Sequence, residues 1–137
     1  MKRVYPVIFT QVENVILVEV PDLEILTEGK NMANAIEMAR DAIGLTGIYL
    51  EDENKEIPQA TSIDKIKIKD GTFVKDGNSL IPLVDVDFEV YRRRVDNKMV
   101  RRNVTLPNWL NQEAEKAKIN VSKVLQEALM TKLDVFR

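Results

Sequence analysis

Arg101, Asn103 and Thr105 stand two residues apart in the string Met99-Val100-Arg101-Arg102-Asn103-Val104-Thr105-Leu106-Pro107. On a β-strand that spacing puts all three on one face. Their side chains can hydrogen-bond base edges in a DNA major groove, Arg favouring guanine and Asn favouring adenine. Val100, Arg102, Val104 and Leu106 fall on the opposite face. A lone strand has nothing to pair with, and a module of about 40 residues buries too little apolar surface to offset its chain entropy. Two copies that pair these strands antiparallel solve both problems, and a two-stranded ribbon fits the major groove.

The elements that must position these residues follow at once. Pro107 suits the first turn of a helix, where its missing N–H costs nothing. Leu110, Ala114 and Ala117 make an apolar stripe, with Trp109 beside it. Asn120 is an N-cap candidate, and Val121, Val124, Leu125, Ala128 and Leu129 make a stronger stripe behind it. The start of that second helix, with Ser122 and Lys123, offers N–H groups to a phosphate. The plainer alternative is a helical dimerisation tag whose strand polarity serves only solubility.

Composition narrows the chemistry further. The 137 residues contain no histidine and no cysteine. The commonest general base, the commonest metal ligand and every thiolate site are therefore missing, and the expectation is a protein that is not an enzyme and carries no cofactor or metal. No apolar run approaches the roughly 18 residues needed to span a bilayer, so no membrane partner is expected. Residues 1–91 hold 9 Lys/Arg against 17 Asp/Glu, whereas residues 92–137 hold 11 against 5. That asymmetry suggests an acidic body with a nucleic-acid-binding tail.

In the body, Val4–Thr10 reads as a strand with Pro6 at an edge or bulge, and Val15–Val20 as its hairpin partner. Ile25–Thr27 reads as a third strand. Asn31 caps a helix whose apolar positions are Met32, Ala35, Ile36, Ala39 and Ile43, with Gly44 and Gly47 predicting a stop or kink. Glu51–Glu56 reads as an acidic loop, and Ile63, Ile66 and Ile68 as a short strand region. Val84, Val86, Phe88 and Val90 alternate with Asp85, Asp87 and Glu89, the period of a half-buried strand. Asp85, Asp87 and Glu89 would then form a charge ladder at about 7 Å intervals, able to dock a basic partner. The expected organisation is a body over 1–91, a linker over 92–97 and a dimerising module over 98–137.

The Arg101-to-Pro107 string, Trp109-Leu110 and Asn120-x-Ser122 resemble the ribbon-helix-helix family. That resemblance implies a β-α-α homodimer contacting DNA through Arg101, Asn103 and Thr105. The body resembles HicB-type antitoxins through Tyr5-Pro6-Val7-Ile8-Phe9, Val18-Glu19-Val20-Pro21-Asp22-Leu23, Thr27-x-Gly29, the Ala35–Ala42 helix and Glu56-Ile57-Pro58. It departs from them at the turn Gln11-Val12-Glu13-Asn14 and at Leu23-Glu24-Ile25-Leu26. The resemblance implies an α+β chain: a degenerate RNase H-like sheet with one main packing helix, followed by the ribbon-helix-helix module. It also implies a cytoplasmic antitoxin that neutralises a basic, mRNA-cleaving toxin of the HicA type, represses its own operon, and assembles as a homodimer or a larger hetero-oligomer. Two alternatives are a stand-alone repressor with a ligand-sensing body, and a metal-dependent nuclease using Glu19, Asp22 and Asp41.

Overall fold

The computed structural model describes residues 1–96 and 98–135. The chain divides into two compact units, Met1–Asp96 and Asn97–Arg137. In chain order the first unit contains β1 (Lys2–Pro6), β2 (Ile8–Val12), β3 (Val15–Val20), β4 (Ile25–Gly29), α1 (Met32–Asp52), β5 (Asn78–Leu80), β6 (Leu83–Asp87) and α2 (Phe88–Val95). The second contains α3 (Asn108–Lys116) and α4 (Val121–Leu133). The architecture is α+β, with every strand pairing antiparallel.

The body holds a four-stranded sheet in the order β4-β3-β2-β5 and a two-stranded sheet of β1 and β6. The strand expected over Val4–Thr10 is two strands. Pro6 has no N–H to continue a ladder, and at Val7 the N–H turns to the carbonyl of Pro82, at 2.9 Å. The chain thereby steps from one sheet to the other. β3 has its expected bounds, and its alternate residues Ile16, Val18 and Val20 are buried. With Phe9, Val84, Val86 and Phe88 they meet Ala35, Ala39 and Ile43 of α1 in one core.

Asn31 caps α1 as expected, its side chain accepting from the Asn34 N–H at 2.8 Å. Gly44 and Gly47 do not stop the helix. A Cβ on Gly44 would lie 2.6 Å from the Tyr91 ring, and one on Gly47 2.1 Å from the Phe88 ring. These glycines let α2 lie against α1, and that packing outweighs a helix-propensity cost of about 1 kcal/mol each. Glu51 and Asp52 consequently belong to the last turn of α1 rather than to a loop.

The strand expected through Val90 ends at Asp87 instead. Asp87 is the N-cap of α2, accepting from the N–H groups of Glu89 and Val90 at 3.1 and 3.5 Å. Val84, Val86 and Phe88 stay buried in alternation across the junction, which is why the pattern imitates a longer strand. The linker expected at 92–97 is helical through Val95, so Arg92, Arg93 and Arg94 belong to the body. The charge contrast shrinks accordingly, to 12 Lys/Arg against 18 Asp/Glu in 1–96 and 8 against 4 in 97–137.

No strand forms over Ile63–Ile68. That region runs irregularly into short 3-10 turns at Ile68–Asp70 and Val74–Asp76. Side chains hold the segment in place. Arg3 donates to the carbonyls of Ile57 and Pro58 at 2.8 and 3.0 Å, and the Tyr5 hydroxyl donates to Pro58 at 2.7 Å. Asp22 accepts from the N–H and hydroxyl of Thr61, and Glu19 from those of Thr72.

Candidate partner and nucleic-acid interfaces

In the tail, Arg101, Asn103 and Thr105 are all exposed. No strand is assigned over Val100–Leu106 in the single chain. The strand expected over Val100–Leu106 is therefore not formed within one copy of the chain. Pro107 sits at the N-cap of α3, one position before the first turn. Asn120 caps α4 as expected, its side chain accepting from the Lys123 N–H at 3.1 Å. That bond uses one of the donors expected to hold a phosphate. The N–H groups of Val121 and Ser122 remain without an acceptor among the described residues.

The tail has no interior of its own. Not one described residue from 98 to 135 is buried, and Val100 and Trp109 are 80% and 65% exposed. Leu106, Leu110, Val124 and Leu129 are exposed as well. The apolar stripes of α3 and α4 thus have no buried core between them within one copy.

In the body, Asp85, Asp87 and Glu89 do not form the expected ladder, because only the first two lie on β6. Asp85 pairs with Arg40 at 3.0 Å, and this guanidinium holds its carboxyl below the usual carboxylate range. The contribution of that exposed pair is present above the range and fades as acid protonates Asp85. Asp87 and Glu89 lie 3.7 and 3.3 Å from the Met1 ammonium. All three charges thus have partners within the body.

Three contacts between α1 and α2 were not evident from sequence. Arg92 bridges Asp52 and Glu51 at 3.0 and 3.2 Å. Tyr91 donates its hydroxyl to Asp41. Burial, reinforced by that carboxylate, pushes the Tyr91 phenol up to about 12. The first hint of this packing is the Gly44/Gly47 pair, whose three-residue spacing matches that of Phe88 and Tyr91. Because the folded state holds this proton more tightly, stability from Tyr91 is present below pH 10 and is lost as pH rises toward 12. In a phenolate absorbance titration the Tyr91 step should come late, toward pH 12. Tyr91→Phe should remove that step and Asp41→Asn should bring it earlier; an alkaline end of the curve that Tyr91→Phe leaves unchanged would contradict the assignment.

The carboxylates considered for metal-dependent chemistry do not converge. Asp22, Glu19 and Asp41 are engaged separately, by Thr61, Thr72 and Tyr91. No group of three or more His, Cys, Asp or Glu among the described residues could hold a metal ion. A shallow cleft of ≈ 270 Å³ runs between β6, α1 and α2, lined by Lys2, Arg40, Asp85, Tyr91 and Arg94. No helix among the described residues is long and apolar enough to cross a membrane.

A family model described as a HicB-like antitoxin of bacterial toxin-antitoxin systems matches residues 5–135. The chain belongs to that family. The match covers both units of this HicB-like antitoxin, body and tail. Solved structures show the same fold. A chain of a toxin-antitoxin complex from Streptococcus pneumoniae superposes with a TM-score of 0.61 at 24% identity, covering 96% of this chain and 99% of that one. The antitoxin HicB of Burkholderia pseudomallei superposes with a TM-score of 0.50 at 20% identity, covering 96% of each. No curated protein sequence matches the chain.

Proposed function

We propose that this HicB-like antitoxin neutralises a small, basic, mRNA-cleaving toxin of the HicA type through its body and represses its own operon through its tail. The tail is read as a ribbon-helix-helix module. Two copies pair their 100–106 segments into a ribbon that enters the operator's major groove, with Arg101, Asn103 and Thr105 facing the bases. Ser122 and Lys123 approach the phosphate backbone at the start of α4, where the N–H of Ser122 is unspent.

The observation that carries this reading is the absence of any buried residue over 98–135 in one copy. Such a module stands only by sharing its apolar stripes with a second copy, and the pairing that does so also builds the ribbon. In the body, a degenerate RNase H-like unit, the excess of six carboxylates over residues 1–96 attracts a cationic RNA-binding protein. Asp85, Asp87 and Glu89 contribute to that field, and the block is steric, the body covering the toxin's catalytic face or RNA path.

Truncation separates the two roles. Residues 1–96, which hold the whole buried core, should still rescue cells from the toxin encoded beside this gene. The same fragment should show no operator shift in an electrophoretic assay. Loss of rescue in the truncated chain would place toxin binding in the tail and defeat the division of labour.

A further inference from the structure

Helix α1 is occupied on two sides. Toward α2, Gly44 and Gly47 lie against Tyr91 and Phe88, and Glu51 and Asp52 hold Arg92. Toward the sheets, Ala35, Ala39 and Ile43 are buried. A third side is bare. Met38, Ala42, Leu45 and Tyr49 recur at intervals of four, three and four, the 3.5-residue period of a helix–helix seam. Leu45 and Tyr49 are 50% and 57% exposed, and Met38 is exposed beside them. Scattered apolar side chains on a surface need no partner. Four in seam register over about 16 Å of one helix present a continuous stripe.

Charge selects the occupant. α1 carries the acids Glu37, Asp41, Glu51 and Asp52 and a single base, Arg40, which Asp85 engages. Two copies set seam to seam would bring acidic flanks together, at a cost in like-charge repulsion. The stripe's flanks on the helix are acidic: Glu37 precedes Met38, Asp41 stands three residues after Met38 and four before Leu45, and Asp52 and the C-cap residue Glu53 stand three and four after Tyr49. Glu37 and Glu53 form no ion pair among the described residues. An apolar stripe with acidic flanks complements an amphipathic helix with basic flanks.

We infer that the Met38-Ala42-Leu45-Tyr49 seam seats a helix of a basic protein partner. This rests on the antitoxin reading above and identifies that partner with the toxin, so that the body's field gathers the toxin and α1 grips it.

The test uses the full chain, and the probe is the product of the adjacent reading frame. Leu45→Lys/Tyr49→Lys should weaken the complex by about 30-fold or more, the size of an interface hot spot. The variant's melting temperature should be unchanged, since both positions are exposed. Should that variant melt early, Leu45→Ser/Tyr49→Ser replaces it with the same expectation. Failure of the wild-type chain to bind the probe would overturn the antitoxin reading and the seam together. Tight binding by wild type and variant alike would overturn the seam alone. A variant that binds the probe normally but has a smaller mass by light scattering would make the seam a self-association surface, against the proposal.

Discussion

Truncating Phe88 to alanine should destabilise the body by about 3–5 kcal/mol, the usual cost of removing a fully buried aromatic ring. Phe88 opens α2, is 2% exposed, and its ring lies where a Cβ on Gly47 would be. The reciprocal change makes a sharper test. Gly47→Ala raises helix propensity by about 1 kcal/mol, which taken alone would strengthen α1. Its new methyl would overlap the Phe88 ring at 2.1 Å, and overpacking a filled core costs about 1–3 kcal/mol. The clash should win, so Gly47→Ala destabilises in denaturant titration despite its better helix former. Combined in one chain, the two substitutions should be less than additive, because alanine at 88 leaves room for the new methyl. Neutral single variants would show that α2 is not seated on α1.

The second large effect belongs to the tail. Arg101→Ala and Asn103→Ala should each weaken operator binding by about 1–3 kcal/mol, or roughly 5- to 150-fold, the value of a bidentate contact to a base. Both positions are exposed in the single chain, so the proposed dimer should persist in light scattering. Specificity should relax at the base pair each residue reads. Equal losses on operator and unrelated DNA would mark them as phosphate contacts and move the reading face elsewhere on the ribbon.

How far the sequence carried the fold depends on which interactions fixed each element. β3 and the starts of α1 and α4 were legible because their causes are local. Val15–Val20 alternates between buried and half-buried residues, and Asn31 and Asn120 bond N–H groups three residues on. The errors all come from distant partners. Gly44 and Gly47 look like helix breakers until Phe88 and Tyr91 are placed against them. Val4–Thr10 looks like one strand until Val7 finds Pro82. Asp85, Asp87 and Glu89 look like a ladder because alternation through Phe88 serves a strand and a helix start equally well, and the Asp87 cap decides between them. In the candidate sites, Arg101, Asn103 and Thr105 are proposed from type and spacing, and all three are exposed. The α1 stripe could not be proposed that way, because the same apolar positions read equally well as core until the sheet and α2 have taken their sides.

Pinning residues 57–72 by side chains rather than by a ladder has a separate consequence. Tyr5 and Arg3 at one end, Asp22 in the middle and Glu19 at the other hold this stretch as stitches hold a hem. Between Ile57, which is anchored in the core, and Thr72, the backbone joins no ladder. The exposed lysines at 65, 67 and 69 therefore ride on the kind of loop that an endopeptidase cuts before it reaches a sheet.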